Sequence, residues 1–160
     1  MKTAAVVDYI VEEVKRQGHD ITVLDGLERV AWMLRAWCTI MQPSRFTSWP
    51  PDLDEIAFLG SLVEPYKNLR STGSFRRCEV RVGSNVVPTR AVDVPAAIER
   101  LLSIESSMTP LEFYKEFEEI HPFVDGNGRV GKILLNWKAG TLFQPQFPPA
   151  DLWGMPISNS

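Results

Sequence analysis

Cysteine and histidine are scarce in this chain of 160 residues, with two of each. Cys38 and Cys78 lie far apart without metal-ligand spacing, which argues against a thiolate metal cluster and against a disulfide framework; packed, reduced thiols are expected. Long apolar runs are also missing. In the opening stretch MKTAAVVDYIVEEVKRQ, Asp8, Glu12 and Glu13 interrupt the apolar residues, so neither a signal peptide nor a membrane span is predicted, and a soluble, cytoplasmic chain without a membrane partner is expected. The net charge of −3 supplies no broad basic field, so nucleic acid is not expected as a principal partner, and any anion site must be local. No internal repeat or low-complexity linker is visible.

With 44% apolar and 23% charged residues, the composition is that of one ordinary globular domain spanning 1–160, with no room for a second catalytic domain. Apolar positions at Ala5, Val6, Tyr9, Ile10 and Val14 predict a helix from about Thr3 to Gln17, ended by Gly18. Leu27, Val30, Ala31, Leu34, Trp37, Cys38 and Met41 predict a core helix over about 25–41, closed by Pro43. After a proline-rich break, Asp52 or Asp54 can cap a helix reaching roughly Tyr66. The period then changes to two: Cys78, Val80 and Val82 alternate with Arg77, Glu79 and Arg81, and Gly83-Ser84-Asn85 precedes Val86 and Val87, which predicts one small hairpin resting on helices. Helical spacing resumes over 95–103. Thr109, Pro110 and Glu112 form a capping box opening a helix that runs to about Ile120, and a last helix begins near Gly126 to Gly128 and ends at Gly140. The tail from Phe143, rich in proline, is expected to be irregular. The fold class is therefore mainly α with one small β-hairpin.

The chemistry concentrates between His121 and Lys132. Gly126-Asn127-Gly128 stands where a loop enters a helix, so the backbone can approach a ligand closely while the first N–H groups point outward with the helix dipole, an arrangement that binds phosphate. Arg129 and Lys132, three apart, can set two cations against successive phosphate groups, which favours a polyphosphate. Asp125 just before the glycines offers a hard carboxylate beside the phosphates, where Mg²⁺ completes its shell. His121, at the mouth of such a site, is suited to accept a hydroxyl proton as general base. Phe123 would anchor the loop in the core and Pro122 stiffen it. Taken singly, a histidine at a helix end, a D-G-N-G turn and a helical lysine are ordinary features; together in twelve residues they match the requirements of phosphoryl transfer.

HPFVDGNGR resembles the signature of Fic domains, histidine-proline-phenylalanine-x-Asp/Glu-Gly-Asn-Gly-Arg-x-x-Arg, and the resemblance extends over roughly 52–138, with helices over 3–41 before this core and the tail over 141–160 after it. It implies a Fic-type helical bundle whose hairpin is the flap. It also implies transfer of AMP from ATP to a Ser, Thr or Tyr hydroxyl of a target protein, with release of pyrophosphate. His121 would be the base and Asp125 the Mg²⁺ ligand; Gly126, Asn127 and Gly128 would form the anion hole, with Arg129 on the phosphates. The flap residues Cys78, Glu79, Val80, Arg81 and Val82 would hold the target backbone as an added strand.

One departure stands out: Lys132 occupies the place of the family's second arginine and lacks its bidentate fork, which predicts a looser grip on the terminal phosphate. In many relatives a Ser/Thr-x-x-x-Glu helix obstructs that arginine. No Ser or Thr here is followed four residues later by Glu, so inhibition in cis is not expected, leaving a separate antitoxin-like inhibitor or none. Two alternatives accompany the adenylyltransferase reading: a Doc-like kinase of the same fold, disfavoured because Gly126 to Gly128 keep the Gly-Asn-Gly pattern from which the Doc branch departs, and a catalytically weak ATP-binding or protein-interaction module.

Overall fold

In a computed structural model describing residues 3–42, 48–68, 75–82 and 87–152, the chain is mainly helical. Among the described residues the α-helices are α1 (Thr3–Arg16), α2 (Leu24–Ile40), α3 (Leu53–Val63), α4 (Val94–Ile104), α5 (Pro110–Ile120) and α6 (Asn127–Ala139). Two starts follow directly from the sequence. Asp52 accepts from the Glu55 N–H while the Glu55 carboxylate accepts from the Asp52 N–H, and Thr109 and Glu112 form the same reciprocal pair at α5, so each box satisfies two donors that a helix start leaves open. Helix α3 stops at Val63, three residues before the expected Tyr66. Glu64 takes a non-helical backbone (φ −145°, ψ 72°) because Pro65 disfavours helical geometry in the residue before it.

Helix α6 is the centre of the molecule, packed against α5 and α3, while α1 packs on α2 and α2 on α3. Every residue from Asn127 to Trp137 is buried, so this helix is covered on all sides rather than along one stripe. Val130, Ile133, Leu134 and Trp137 join Ile10, Met33, Trp37, Ile56, Leu59, Phe113 and Phe117 in one core. No helix among the described residues is long and apolar enough to cross a membrane.

The expected hairpin is described only in part. Among the described residues there is no strand, and Val82 makes only a single isolated bridge, while the turn at 83–85 and Val86 lie outside them. A two-stranded ribbon contributes little of its own stability. Here its first leg is fixed by side-chain bonds instead: Arg76 reaches the Cys78 carbonyl, and the Ala91 N–H donates to Glu79 Oε1 (2.8 Å). Beyond α6, residues 141–152 form turns without regular elements and pack back on the bundle, Phe147 stacking on Tyr9 and the Leu142 carbonyl accepting from the Trp37 indole (2.9 Å).

Candidate active site

The loop from His121 to Gly126 joins the end of α5 to the start of α6, and its shape is set by interior contacts. Phe123, 1% exposed, sits between the rings of Phe75 and Phe117. It also fills the space beside Gly60, where a Cβ would lie 2.2 Å from the ring. The Asn127 amide closes the loop by accepting from the Phe123 N–H (2.8 Å) and donating to the Phe123 carbonyl (2.9 Å). Its side chain is thus occupied within the loop. Gly126 takes the left-handed conformation (φ +81°), which glycine adopts without steric cost, and turns the chain into α6. The first helical bond runs from Val130 N–H to Gly126 carbonyl, so the N–H groups of Asn127, Gly128 and Arg129 precede the ladder and have no acceptor within the helix, at a buried helix start.

His121 caps α5 in the left-handed region (φ 53°, ψ 65°) and is 2% exposed. Burial pushes the imidazole down to about 4, aided by the Arg76 charge and opposed by the Glu118 backbone and by Asp125, so the ring is neutral at pH 7. Nδ1 has no hydrogen-bond partner among the described residues. Asp125 keeps its carboxyl below the usual range: burial opposes ionisation, but Lys67, Arg129 and the Gly126 N–H together outweigh it. Lys67 Nζ lies 2.8 Å from Asp125 Oδ2 and Gly126 N–H donates to Oδ1 (2.7 Å). Asn68 braces the same loop, donating to the Asp125 and Gly60 carbonyls at 2.9 and 2.8 Å.

The two cations expected on phosphate are enclosed. Arg129 is 0% exposed; Nη1 donates to the Val63 carbonyl (2.9 Å), Nε to Gln17 (3.2 Å), and Nη2 lies 3.4 Å from Glu64 and 3.6 Å from Asp125. Glu64 in turn pairs with Arg29 at 2.8 Å. Lys132 Nζ is 3.1 Å from Glu13 Oε2 and lies over the Tyr114 ring. An acid of α1 therefore reaches Lys132 although the Ser/Thr-x-x-x-Glu pattern is absent; Tyr9 stands four residues before Glu13. Glu118 lies close to the same lysine, its carboxyl raised to about 7 by burial and by Glu13, with Lys132 opposing.

Glu13, Glu64, Lys67, Asn68, Arg76 and Glu118 were not singled out from the sequence. Two of them left a signal. Glu13 shares the helical face of Val6, Tyr9, Ile10 and Val14, and Arg76 falls on the inward phase of the alternation with Cys78, Val80 and Val82. The flap residues Cys78, Glu79 and Arg81 are exposed and Val80 and Val82 half-buried. Among the described residues no three His, Cys, Asp or Glu side chains gather into a metal group. Asp125 alone still suits Mg²⁺, which takes one or two carboxylates with the rest of its shell from phosphate and water, and the half-exposed Lys67 on Oδ2 can swing away.

Residues 51–139 match the family described as Fic/DOC. A protein named protein adenylyltransferase Fic from Drosophila ananassae is 36% identical over 85 residues, covering 48% of this chain and 16% of that protein. A probable protein adenylyltransferase from Aquifex aeolicus is 26% identical over 136 residues, covering 79% of this chain and 41% of its own length. The chain thus spans less than half the length of these relatives.

Proposed function

This chain belongs to the Fic/DOC family, and we propose on that footing that it transfers AMP from ATP to a Ser, Thr or Tyr hydroxyl of a protein. The observation that carries the reading is the pairing of a neutral, buried His121 with the N-terminal turn of α6, whose first N–H groups have no acceptor within the helix, across one braced loop. The N–H groups of Asn127, Gly128 and Arg129 hold the phosphates of ATP, and the dipole of α6 favours their charge. His121 accepts the proton of the acceptor hydroxyl as its oxygen attacks the α-phosphorus, and pyrophosphate leaves. Asp125 would hold Mg²⁺, which when bound neutralises phosphate charge. Residues 78–82 hold the target backbone beside His121.

Arg129 contributes its charge and the stiffness of its bonds to Val63, Gln17 and Glu64, since its side chain is already enclosed. The Glu13 contact on Lys132 favours a second reading, in which the chain binds ATP with slow or no transfer while that pair stays closed. Incubation with a lysate and ATP labelled at the α- or γ-phosphate, beside His121→Ala, tests both. Label from the α-position that disappears in the variant supports adenylylation. Label from the γ-position supports a kinase, and nucleotide binding without labelling supports the non-catalytic reading.

A further inference from the structure

Arg76 is 3% exposed, yet among the described residues no carboxylate pairs with it. Among the described residues its guanidinium bonds to backbone carbonyls alone. Nε donates to His121 (2.6 Å), Nη1 to Cys78 (3.0 Å), and Nη2 to Ile120 (3.3 Å) and to Thr89. The Arg76 N–H also donates to the Pro122 carbonyl at 2.9 Å. These acceptors belong to three different places: the end of α5 with the loop that follows it, the first leg of the flap, and the returning segment before residue 91. Carbonyls at a helix C-terminus have no partner within the helix and carry the negative end of its dipole, so a cation there is favourable. Only a planar fork with five N–H donors can serve acceptors fanned out in this way; an ammonium on a single stem cannot span them.

We propose that Arg76 is the positioning residue for the reaction, locking the left-handed backbone of His121 and fixing the target-holding segment 78–82 against it. Hydroxyl and base then meet in one geometry because one side chain holds the backbone on both sides. This rests on the adenylyl-transfer reading for its chemistry, and its structural half can be measured without any transfer.

The test uses Arg76→Gln and Arg76→Lys in the full chain. ATP affinity by calorimetry should stay within about twofold of the parent, because the donor end of α6 makes no bond to Arg76. The maximal rate of labelling a lysate from α-labelled ATP should fall roughly 10- to 100-fold, with KM for ATP unchanged. Arg76→Lys should restore little of it, since charge alone does not span the carbonyls. Imidazole NMR reads the positioning directly: the chain has two histidines, and His121→Ala identifies which signal is His121. In Arg76→Gln that signal should move and titrate at higher pH, and amide exchange over 78–82 should quicken. A parental rate in both variants overturns the proposal, as does an unmoved His121 signal, or a loss of ATP affinity in step with the rate. If Arg76→Gln loses its helical circular dichroism, the same readings on Arg76→Lys decide. If the parent chain transfers no label, adenylylation fails while a shifted His121 signal still supports the positioning role, and an unshifted one overturns it.

Discussion

At Lys132 a single ammonium makes its ion pair with one buried carboxylate, Glu13, with Glu118 close by, and a point charge on a lysine suffices for that contact without the fork of an arginine. ATP and Glu13 then compete for one cation. Glu13→Gln keeps the length of the side chain and removes the charge, so ATP affinity should rise about tenfold, equivalent to about 1.4 kcal/mol. The ligand-free protein should lose roughly 1–3 kcal/mol of stability, because a buried charge has lost its partner and Glu118 replaces it only in part. Calorimetric titration and urea unfolding check the two halves; unchanged ATP affinity would place Lys132 outside the phosphate site. Lys132→Arg should raise the transfer rate measured with α-labelled ATP, and an equal or lower rate would show that lysine is no defect. The sequence made Lys132 visible as a departure from a pattern. Its partner carries no such mark: Tyr9, not Ser or Thr, stands four residues before Glu13, which is distinguished only by its place on the apolar face of α1.

Helix ends were the most readable features at the level of elements, because their signals are local. Thr109, Pro110 and Glu112 lie within four residues and fix the start of α5 whatever packs against it, the cap bonds measuring 3.1 and 3.2 Å. Thr109→Ala should cost about 1 kcal/mol in urea unfolding. The leg over 75–82 forms no strand because alternation reports only which side chains could face inward; it does not supply the ladder, and Arg76 bonds to the carbonyls of Cys78 and Thr89 there. Gly60 carries a long-range requirement that no local pattern reveals. Within a helix, alanine is favoured over glycine by about 1 kcal/mol. A Cβ at 60, however, would meet a Phe123 ring confined by Phe75 and Phe117. Overpacking of about 1–3 kcal/mol should win. Gly60→Ala is therefore expected to unfold at lower urea and to label more slowly, since Phe123 anchors the loop of His121; a gain in stability would mean that the ring has room to move.

Across the whole molecule, the interior holds an unusual number of ionisable groups around α6: Glu13, Arg29, Glu64, Glu118, His121, Arg129 and Lys132. Helical periodicity could not announce this, since a helix covered on all sides has no polar face to read. Two of these groups make stability depend on pH in opposite senses. Unfolded His121 takes up a proton near its ordinary 6.5, whereas the folded ring declines it until about 4, so its contribution is full above 6.5 and is lost as pH falls toward 4. Unfolded Glu118 gives up its proton near 4.5, whereas the folded carboxyl keeps it to about 7, so its contribution is full below 4.5 and is lost as pH rises toward 7. Each is worth about 3 kcal/mol, and between pH 4.5 and 6.5 the two slopes oppose. Glu118→Gln removes one of them, and its urea midpoint should climb steeply from pH 4 to 6.5. His121→Ala should show the reverse, a midpoint falling from pH 4.5 to 7, while the parent chain stays nearly level across the shared window. Midpoints measured from pH 4 to 8 decide it: if both variants run parallel to the parent, neither group has the altered protonation that its burial implies.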